Sequence, residues 1–282
     1  MNKISRQKRV QVISALVEGN SIRSTVRMTG VAKNTIVKLL KDIGLVCTEY
    51  HNKVVRNLTC RRVQADEIWS FVYAKKKNVP EDKKGQFGYG DVWTWTAIDA
   101  DTKLIISWYI GLRNAEHARA FIYDLKDRLA NRVQLTTDGL KAYLEAVDEV
   151  FGCDIDYGML VKLYGKEKGE EGRYSPPKCI GAKRDSLSGN PDRKHISTSY
   201  VERQNLTMRM SMRRFTRLTN GFSKKIENLE YAIALHFVYY NFCRIHRTLK
   251  VTPAMEAGIT DKLWSIEDIV KLLEYKESEK SN

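Results

Sequence analysis

Val63-Gln64-Ala65-Asp66-Glu67-Ile68-Trp69-Ser70-Phe71-Val72 is the stretch whose reading decides the fold. Val63, Ala65, Glu67, Trp69 and Phe71 alternate with Gln64, Asp66, Ile68, Ser70 and Val72. A period of two in β-branched and aromatic residues reads as a strand. A Lys/Gly-rich loop follows at 75–90, then strands at 92–100 and 104–111. Asp99-Ala100-Asp101-Thr102 reads as the hairpin turn between them, so Asp99 and Asp101 take structural roles. Beyond this meander the pattern alternates. A helix at 114–130 turns Ala118, Phe121, Ile122 and Leu125 inward, and a strand at 133–137 ends at Asp138-Gly139. A helix at 140–150 and a short strand within 155–163 complete the alternation. A three-stranded meander followed by strand–helix alternation predicts an α/β fold with a mixed sheet.

On the N-terminal side, residues 1–60 carry eleven Lys/Arg against three Asp/Glu. Val10, Ile13 and Val17 mark a first amphipathic helix. Ser21 caps a short second helix, Gly30 turns the chain, and a third helix spans 33–43 with Ile36, Leu39, Leu40 and Ile43 as its stripe. Helix, short helix, glycine turn and helix form a helix-turn-helix pattern over 1–45. Its last helix would offer Lys33, Asn34, Thr35 and Lys38 to a major groove. Residues 46–60 read as a linker.

On the C-terminal side, 164–195 reads as a long loop rich in Gly, Pro, Ser and Lys. Lys178, Lys183, Arg184, Arg193 and Lys194 suit contacts to DNA there, whereas His195 reads as incidental. Next comes Ser199-Tyr200-Val201-Glu202-Arg203-Gln204-Asn205, read as a helix capped by Ser199 and running to Arg214. Glu202 stands in a basic neighbourhood, with ten Lys/Arg and three Asp/Glu between Lys178 and Arg217. Arg209 lies seven residues on, two turns along the same face. A strongly apolar helix at 222–242 reads as core, and 259–282 as a final helix fading into a charged tail.

The whole chain has 282 residues, 43% hydrophobic, with a formal net charge of +14. That charge points to a polyanion, most simply nucleic acid. No apolar run approaches the ~20 residues of a spanning helix, and no signal core follows Met1, so a cytoplasmic, nucleoid-associated protein is expected. The five cysteines include no C-x-x-C. Cys47, His51 and Cys60 are therefore read as ordinary thiols and a histidine rather than a metal site. Trp69, Trp93, Trp95 and Trp108 are read as core, with stacking on a splayed base as the other use of one of them.

Asp66, Asp138 and Glu202 are the candidate catalytic and metal-holding residues. Only folding could unite them, and three converging carboxylates repel unless cations lie between them. Two Mg²⁺ ions ~3.5–4 Å apart would meet that need and clamp a phosphodiester. Spacing leaves Asp66 and Glu67 as alternatives, and likewise Asp138 and Asp148.

The ordered set Asp66-Glu67-Ile68-Trp69, Thr137-Asp138-Gly139 and Tyr200-Val201-Glu202-Arg203-Gln204-Asn205 resembles the DDE transposases of bacterial insertion sequences. Tyr240-Asn241-Phe242-Cys243-Arg244-Ile245-His246-Arg247 and Thr252-Pro253-Ala254 extend the resemblance, which covers about 61–258. It implies a ribonuclease H-like core, shared with retroviral integrases, with Asp66, Asp138 and Glu202 as its metal-binding triad. It also implies Arg209 as a DNA contact, and Arg203 and Arg213 join the candidate DNA-binding residues. Mg²⁺ is the expected cofactor, with Mn²⁺ able to substitute. The expected partners are double-stranded element ends and target DNA, bound by a homodimer or larger homo-oligomer, with no membrane. Some relatives carry an N-terminal zinc module, and no Cys/His set here would build one. A DNA-binding regulator that has lost catalysis, a ribonuclease H-like nuclease, and a tyrosine recombinase using Arg244, His246 and a tyrosine are the competing readings.

Overall fold

The computed structural model describes residues 4–165, 178–216 and 220–279. Three helices come first: α1 (Arg6–Val17), α2 (Ile22–Thr29) and α3 (Lys33–Val54). Ser5 and Ser21 accept the first-turn amides of Lys8 and Ser24, and Gly30 ends α2 at φ 70°. The sheet strands are β1 (Arg62–Val72), β2 (Gly90–Asp99), β3 (Ile105–Gly111), β4 (Gln134–Asp138), β5 (Asp156–Gly165) and β6 (Lys178–Ser188). Helices α4 (Ala115–Lys126) and α5 (Ala142–Phe151) flank β4 in sequence. After β6 come α6 (Ser199–Ser211), α7 (Ile226–Val238), the short α8 (Pro253–Glu256) and α9 (Ile266–Glu279).

The sheet order is β3-β2-β1-β4-β5-β6. β1, β2 and β3 pair antiparallel, β1–β4 and β4–β5 pair parallel, and β6 returns antiparallel to β5. A meander whose first strand takes the parallel strands on its other side is the ribonuclease H-like arrangement, extended here by β6. No helix among the described residues is long and apolar enough to cross a membrane.

Register carries the consequence for chemistry. Ala65 pairs with Thr137 across the parallel β1–β4 ladder, which sets the next residues, Asp66 and Asp138, side by side. Helix α6 is then fastened over β1 by a side chain. Gln64 Oε1 accepts the amides of Tyr200 at 2.8 Å and Val201 at 3.2 Å, the free first-turn donors of α6. The helix that bears Glu202 is thus capped by the strand that bears Asp66.

Four expectations need correction. Helix α3 does not stop near 43 but runs on to Val54, through the stretch expected to be a linker. Val46, Cys47 and His51 keep its buried face going, and His51 joins the sheet through Ile105 O at 3.2 Å. The long loop at 164–195 contains a strand, β6, whose Gly- and Ser-containing sequence has little strand propensity and is held by pairing with β5. Ser199 is the first residue of α6 rather than its cap: Thr198 takes the cap position, and the helix ends at Ser211, short of Arg214. Trp95 is fully buried, whereas Trp69, Trp93 and Trp108 are half-buried. The hairpin reading holds: Asp99 accepts the Asp101 amide and the Thr102 hydroxyl.

Candidate active site

Asp66, Asp138 and Glu202 line one open cavity of about 730 Å³. Asp66 comes from mid-β1, Asp138 from the end of β4, and Glu202 from the first turn of α6. Each carboxylate is held in place by a neighbour. Asn205, one turn beyond Glu202, donates its Nδ2 to Asp66 Oδ2 at 2.8 Å, and the Glu67 amide donates to Asp66 Oδ1 at 2.9 Å. The Leu140 amide donates to Asp138 Oδ1 at 3.0 Å. Thr198 donates its hydroxyl to Glu202 Oε1 at 2.5 Å, and Lys162 donates its ammonium to Oε2, also at 2.5 Å.

Glu202 is paired with Lys162, and Asp138 has Arg113 at 3.7 Å, whereas Asp66 has no cation in direct contact among the described residues. Burial, and then the nearby Asp138, push the Asp66 carboxyl up to about 7. Burial also raises Asp138 above the usual carboxylate range. Lys162 is drawn down by burial, but its hydrogen bond to Glu202 and the charge of that residue leave it above its ordinary value.

Asp66, Glu67 and Asp138 form a second candidate cluster, with one oxygen of each within 4.8 Å of the others. The two sets share Asp66 and Asp138 and differ in the third member. Glu67 is an immediate strand neighbour of Asp66, so it projects to the opposite face. Arg113, which lines the open cavity and reaches Asp138 at 3.7 Å, donates to it at 2.6 Å, Tyr143 donates to it at 3.3 Å, and its side chain is 2% exposed. Burial, then Asp138 and Asp66, push its carboxyl up to about 8. Glu67 does not line the open cavity, and Glu202 does. Asp66, Asp138 and Glu202 are therefore the three carboxylates that face the open cavity together. Oxygen donors, raised proton affinity and an open approach fit a hard divalent cation. Asp148, the other alternative, lies on α5 and is not among the residues lining that cavity.

Four residues around the site went unnoticed in the sequence reading: Gln64, Arg113, Lys162 and Asn205. Asn205 carried a signal, standing i+3 from Glu202 on the same helix. Lys162 carried none, because only the β4–β5 register, Asp138 beside Leu160, brings its strand alongside.

The basic candidates are dispersed. Lys33, Asn34 and Lys38 are exposed and Thr35 half-buried along the first turns of α3. Lys183 is exposed on β6 and pairs with Asp185 at 2.9 Å. Arg184 donates to Ile196 O at 3.1 Å, and Arg193 to Arg184 O at 3.3 Å, so both fasten the segment leading to α6. Arg213 is exposed just past α6. Arg203 lies one residue beyond Glu202 on a different face of the helix, and Arg209 is half-buried on the Glu202 face. The Lys178 side chain lies outside the described residues. His195 contacts Arg62 at 2.5 Å and Asp192 at 3.7 Å and is not among the residues lining the cavity.

No protein-family model and no curated protein sequence matches the chain. Among solved structures it is similar to a piggyBac transposase in a synaptic complex with hairpin DNA. The identity is 10% and the TM-score 0.46, over 96% of this chain and 71% of that one. It is similar to the Mos1 mariner transposase in a paired-end complex with Mn, at 12% identity and a TM-score of 0.28, over 84% of this chain and 77% of that one. It is also similar to endonuclease V from Bacillus subtilis, at 13% identity and a TM-score of 0.25, over 72% of this chain and 92% of that one. Superpositions this loose leave the fold to be defined by strand order and register.

Proposed function

We propose that the chain is a DDE transposase of a bacterial insertion sequence, which binds terminal inverted repeats and cuts and rejoins DNA with divalent metal. The observation that carries this reading is the cavity shared by Asp66, Asp138 and Glu202. The charge of +14 supports a nucleic-acid substrate. In this reading residues 1–45 are a helix-turn-helix reader presenting Lys33, Asn34, Thr35 and Lys38, whose third helix runs on to Val54, followed by a catalytic core at 61–258 and a tail at 259–282. Lys183, Arg184, Arg203, Arg209 and Arg213 contact DNA outside the reader. Pairing two element ends calls for a homodimer or larger homo-oligomer.

Asp66, Asp138 and Glu202 would hold divalent metal, expected as two Mg²⁺ ions with Mn²⁺ able to substitute. Bound there, the ions supply charge neutralisation and a lowered water pKa. Asn205 keeps Asp66 turned towards the cavity. Thr198 fixes one oxygen of Glu202, so the other is the oxygen free to change partners. Lys162 adds positive charge on the same wall for the non-bridging oxygens of a phosphodiester. No side chain serves as nucleophile: water attacks first, and the freed 3′-OH attacks the target second. Positioning and charge therefore carry the rate.

The test is strand cleavage of a labelled duplex bearing the repeats that flank the gene, with Mg²⁺ or EDTA, using wild type and Glu202→Gln. Metal-dependent nicking at the repeat boundary is expected, with a loss of at least about a hundredfold in the mutant and DNA binding retained. Binding without cleavage in either Mg²⁺ or Mn²⁺ would replace the transposase reading with that of a DNA-binding regulator.

A further inference from the structure

Helix α6 has a second working face. Thr198, Glu202, Asn205 and Arg209 run down the side towards the carboxylates. Tyr200, Arg203, Gln204 and Thr207 stand at i, i+3, i+4 and i+7, a separate stripe, and all four line a cleft of about 180 Å³. The opposite wall is the segment after α7. A single π turn, Tyr239–Cys243, ends that helix and delivers Arg244, His246 and Arg247 to the cleft. Lys103, at φ 61° in the β2–β3 hairpin, closes the top with its ammonium 3.5 Å from the centre of the Tyr200 ring.

The charge in this cleft is uncompensated. Arg203, Arg244 and Arg247 are exposed, none is ion-paired among the described residues, and no carboxylate lines the cleft. His246 is held below its ordinary value by burial, then by Lys103 and Arg244, as expected where positive groups face each other without an anion. Two buried polar atoms also wait for a partner. Gln204 is 2% exposed with its Nε2 unbonded, and His246 Nδ1 is likewise buried and unbonded. Buried polar atoms in native proteins are satisfied in more than about nine cases in ten, so a group belonging here is an oxyanion that accepts several hydrogen bonds.

We infer that this cleft is a seat for a backbone phosphate of nucleic acid, gripped by Arg203, Arg244 and Arg247 and oriented by Gln204. It lies on the far face of the helix that carries Glu202. A strand seated there bears directly on α6, so binding and the third carboxylate are mechanically linked. Arginine suits the task, because its fork matches two phosphate oxygens at once. The inference rests on the nucleic-acid reading above and names a contact site within it.

The test uses fluorescence anisotropy with a random-sequence duplex, which requires neither an element end nor cleavage. Arg244→Ala and Arg247→Ala should each weaken binding several-fold and lower the slope of log affinity against log salt by about 0.9, one phosphate contact each. Lys271→Ala, an equal charge change on α9, should leave the slope unchanged. Gln204→Met changes no charge, so a several-fold loss at constant slope would mark an oriented seat rather than diffuse attraction. Arginine variants that behave like Lys271→Ala, or a Gln204→Met variant of unchanged affinity, would overturn the inference. So would stabilisation by inorganic phosphate that Arg244→Ala removes while duplex binding stays intact, because the seat would then serve a free anion. Absence of metal-dependent cleavage in the wild type would count against the proposed activity and leave these slopes as they are.

Discussion

Asp66 and Glu67 differ by one position and by one face of the sheet, and that difference sets their pH behaviour apart from an ordinary acidic pair. Burial raises Asp66 to about 7 and Glu67 to about 8. The folded chain therefore holds protons that the unfolded chain has lost once pH passes about 4. Stability conferred by these groups is full below that pH and falls as pH rises to about 8. A divalent cation between the carboxylates reverses the loss, and its binding must displace those protons. Thermal unfolding with Mg²⁺ or EDTA should thus show metal stabilisation at pH 8 that is nearly absent at pH 5. Asp66→Asn should melt higher than the metal-free wild type at pH 8, by on the order of 2 kcal/mol, and should lose most of its response to Mg²⁺. Equal metal response at both pH values would remove these carboxylates from the metal site. The sequence left Asp66 and Glu67 as equals because residue type is the same on both faces of a strand. What separates them is a set of partners, Arg113 and Tyr143 for Glu67 and Asn205 for Asp66, and that exists only after folding.

At the scale of elements, the sequence revealed those that depend on their own pattern and hid those that depend on a neighbour. The strand at 62–72 and the helices at 115–126 and 142–151 follow from local periodicity and fell within a few residues of expectation. The strand at 178–188 exists because β5 offers it a ladder, and α3 continues past 43 because Cys47 and His51, which do not count as apolar in a periodicity, are buried there. Helix α6 belongs partly to each group. Its run is legible, but its cap is not Ser199. The side chain that holds its first turn, Gln64, is 136 residues away in sequence. Gln64→Leu should therefore do more than remove a polar group from β1. Two first-turn amides of α6 would lose their acceptor, at about 1–3 kcal/mol for each that stays buried, and Glu202 would lose its fixed distance from Asp66. Denaturant unfolding should show a loss of roughly 2–4 kcal/mol, and cleavage should fall much further than DNA affinity. Full cleavage by a folded Gln64→Leu protein would mean that α6 is positioned by its packing alone.

Across the whole molecule, the N-terminal helices and the six-stranded sheet share one core, running from Val12 through the strands to Leu273. Three connections make this so. Helix α3 crosses α7 at Gly44, where an added Cβ would lie 2.4 Å from that of Tyr231, so only glycine allows the helices to approach this closely. Tyr50 of α3 packs between Phe242 and Trp264 with ring centroids 5.4 and 4.9 Å away. Helix α9 returns to the start of the chain through Arg6–Glu274 at 2.5 Å and Arg9–Glu277 at 3.3 Å, while Lys276 reaches Glu49 at 2.9 Å. The Arg6–Glu274 and Lys276–Glu49 pairs are exposed or half-exposed and contribute little, so the glycine crossing and the aromatic cluster, with the buried Arg9, carry the linkage. An N-terminal helical segment joined this way cannot swing freely. DNA held by Lys33 and Asn34 would keep a fixed bearing on the carboxylates of the same chain. Calorimetry should accordingly give a single unfolding transition with equal calorimetric and van't Hoff enthalpies. Gly44→Ala, which forces α3 and α7 apart, should lower that one transition by about 3 kcal/mol or more rather than split it. Two resolved transitions in the wild type, or a Gly44→Ala protein in which only a minor early transition moves, would show the helical segment and the sheet to be independent, and the fixed bearing between reader and carboxylates would go with them.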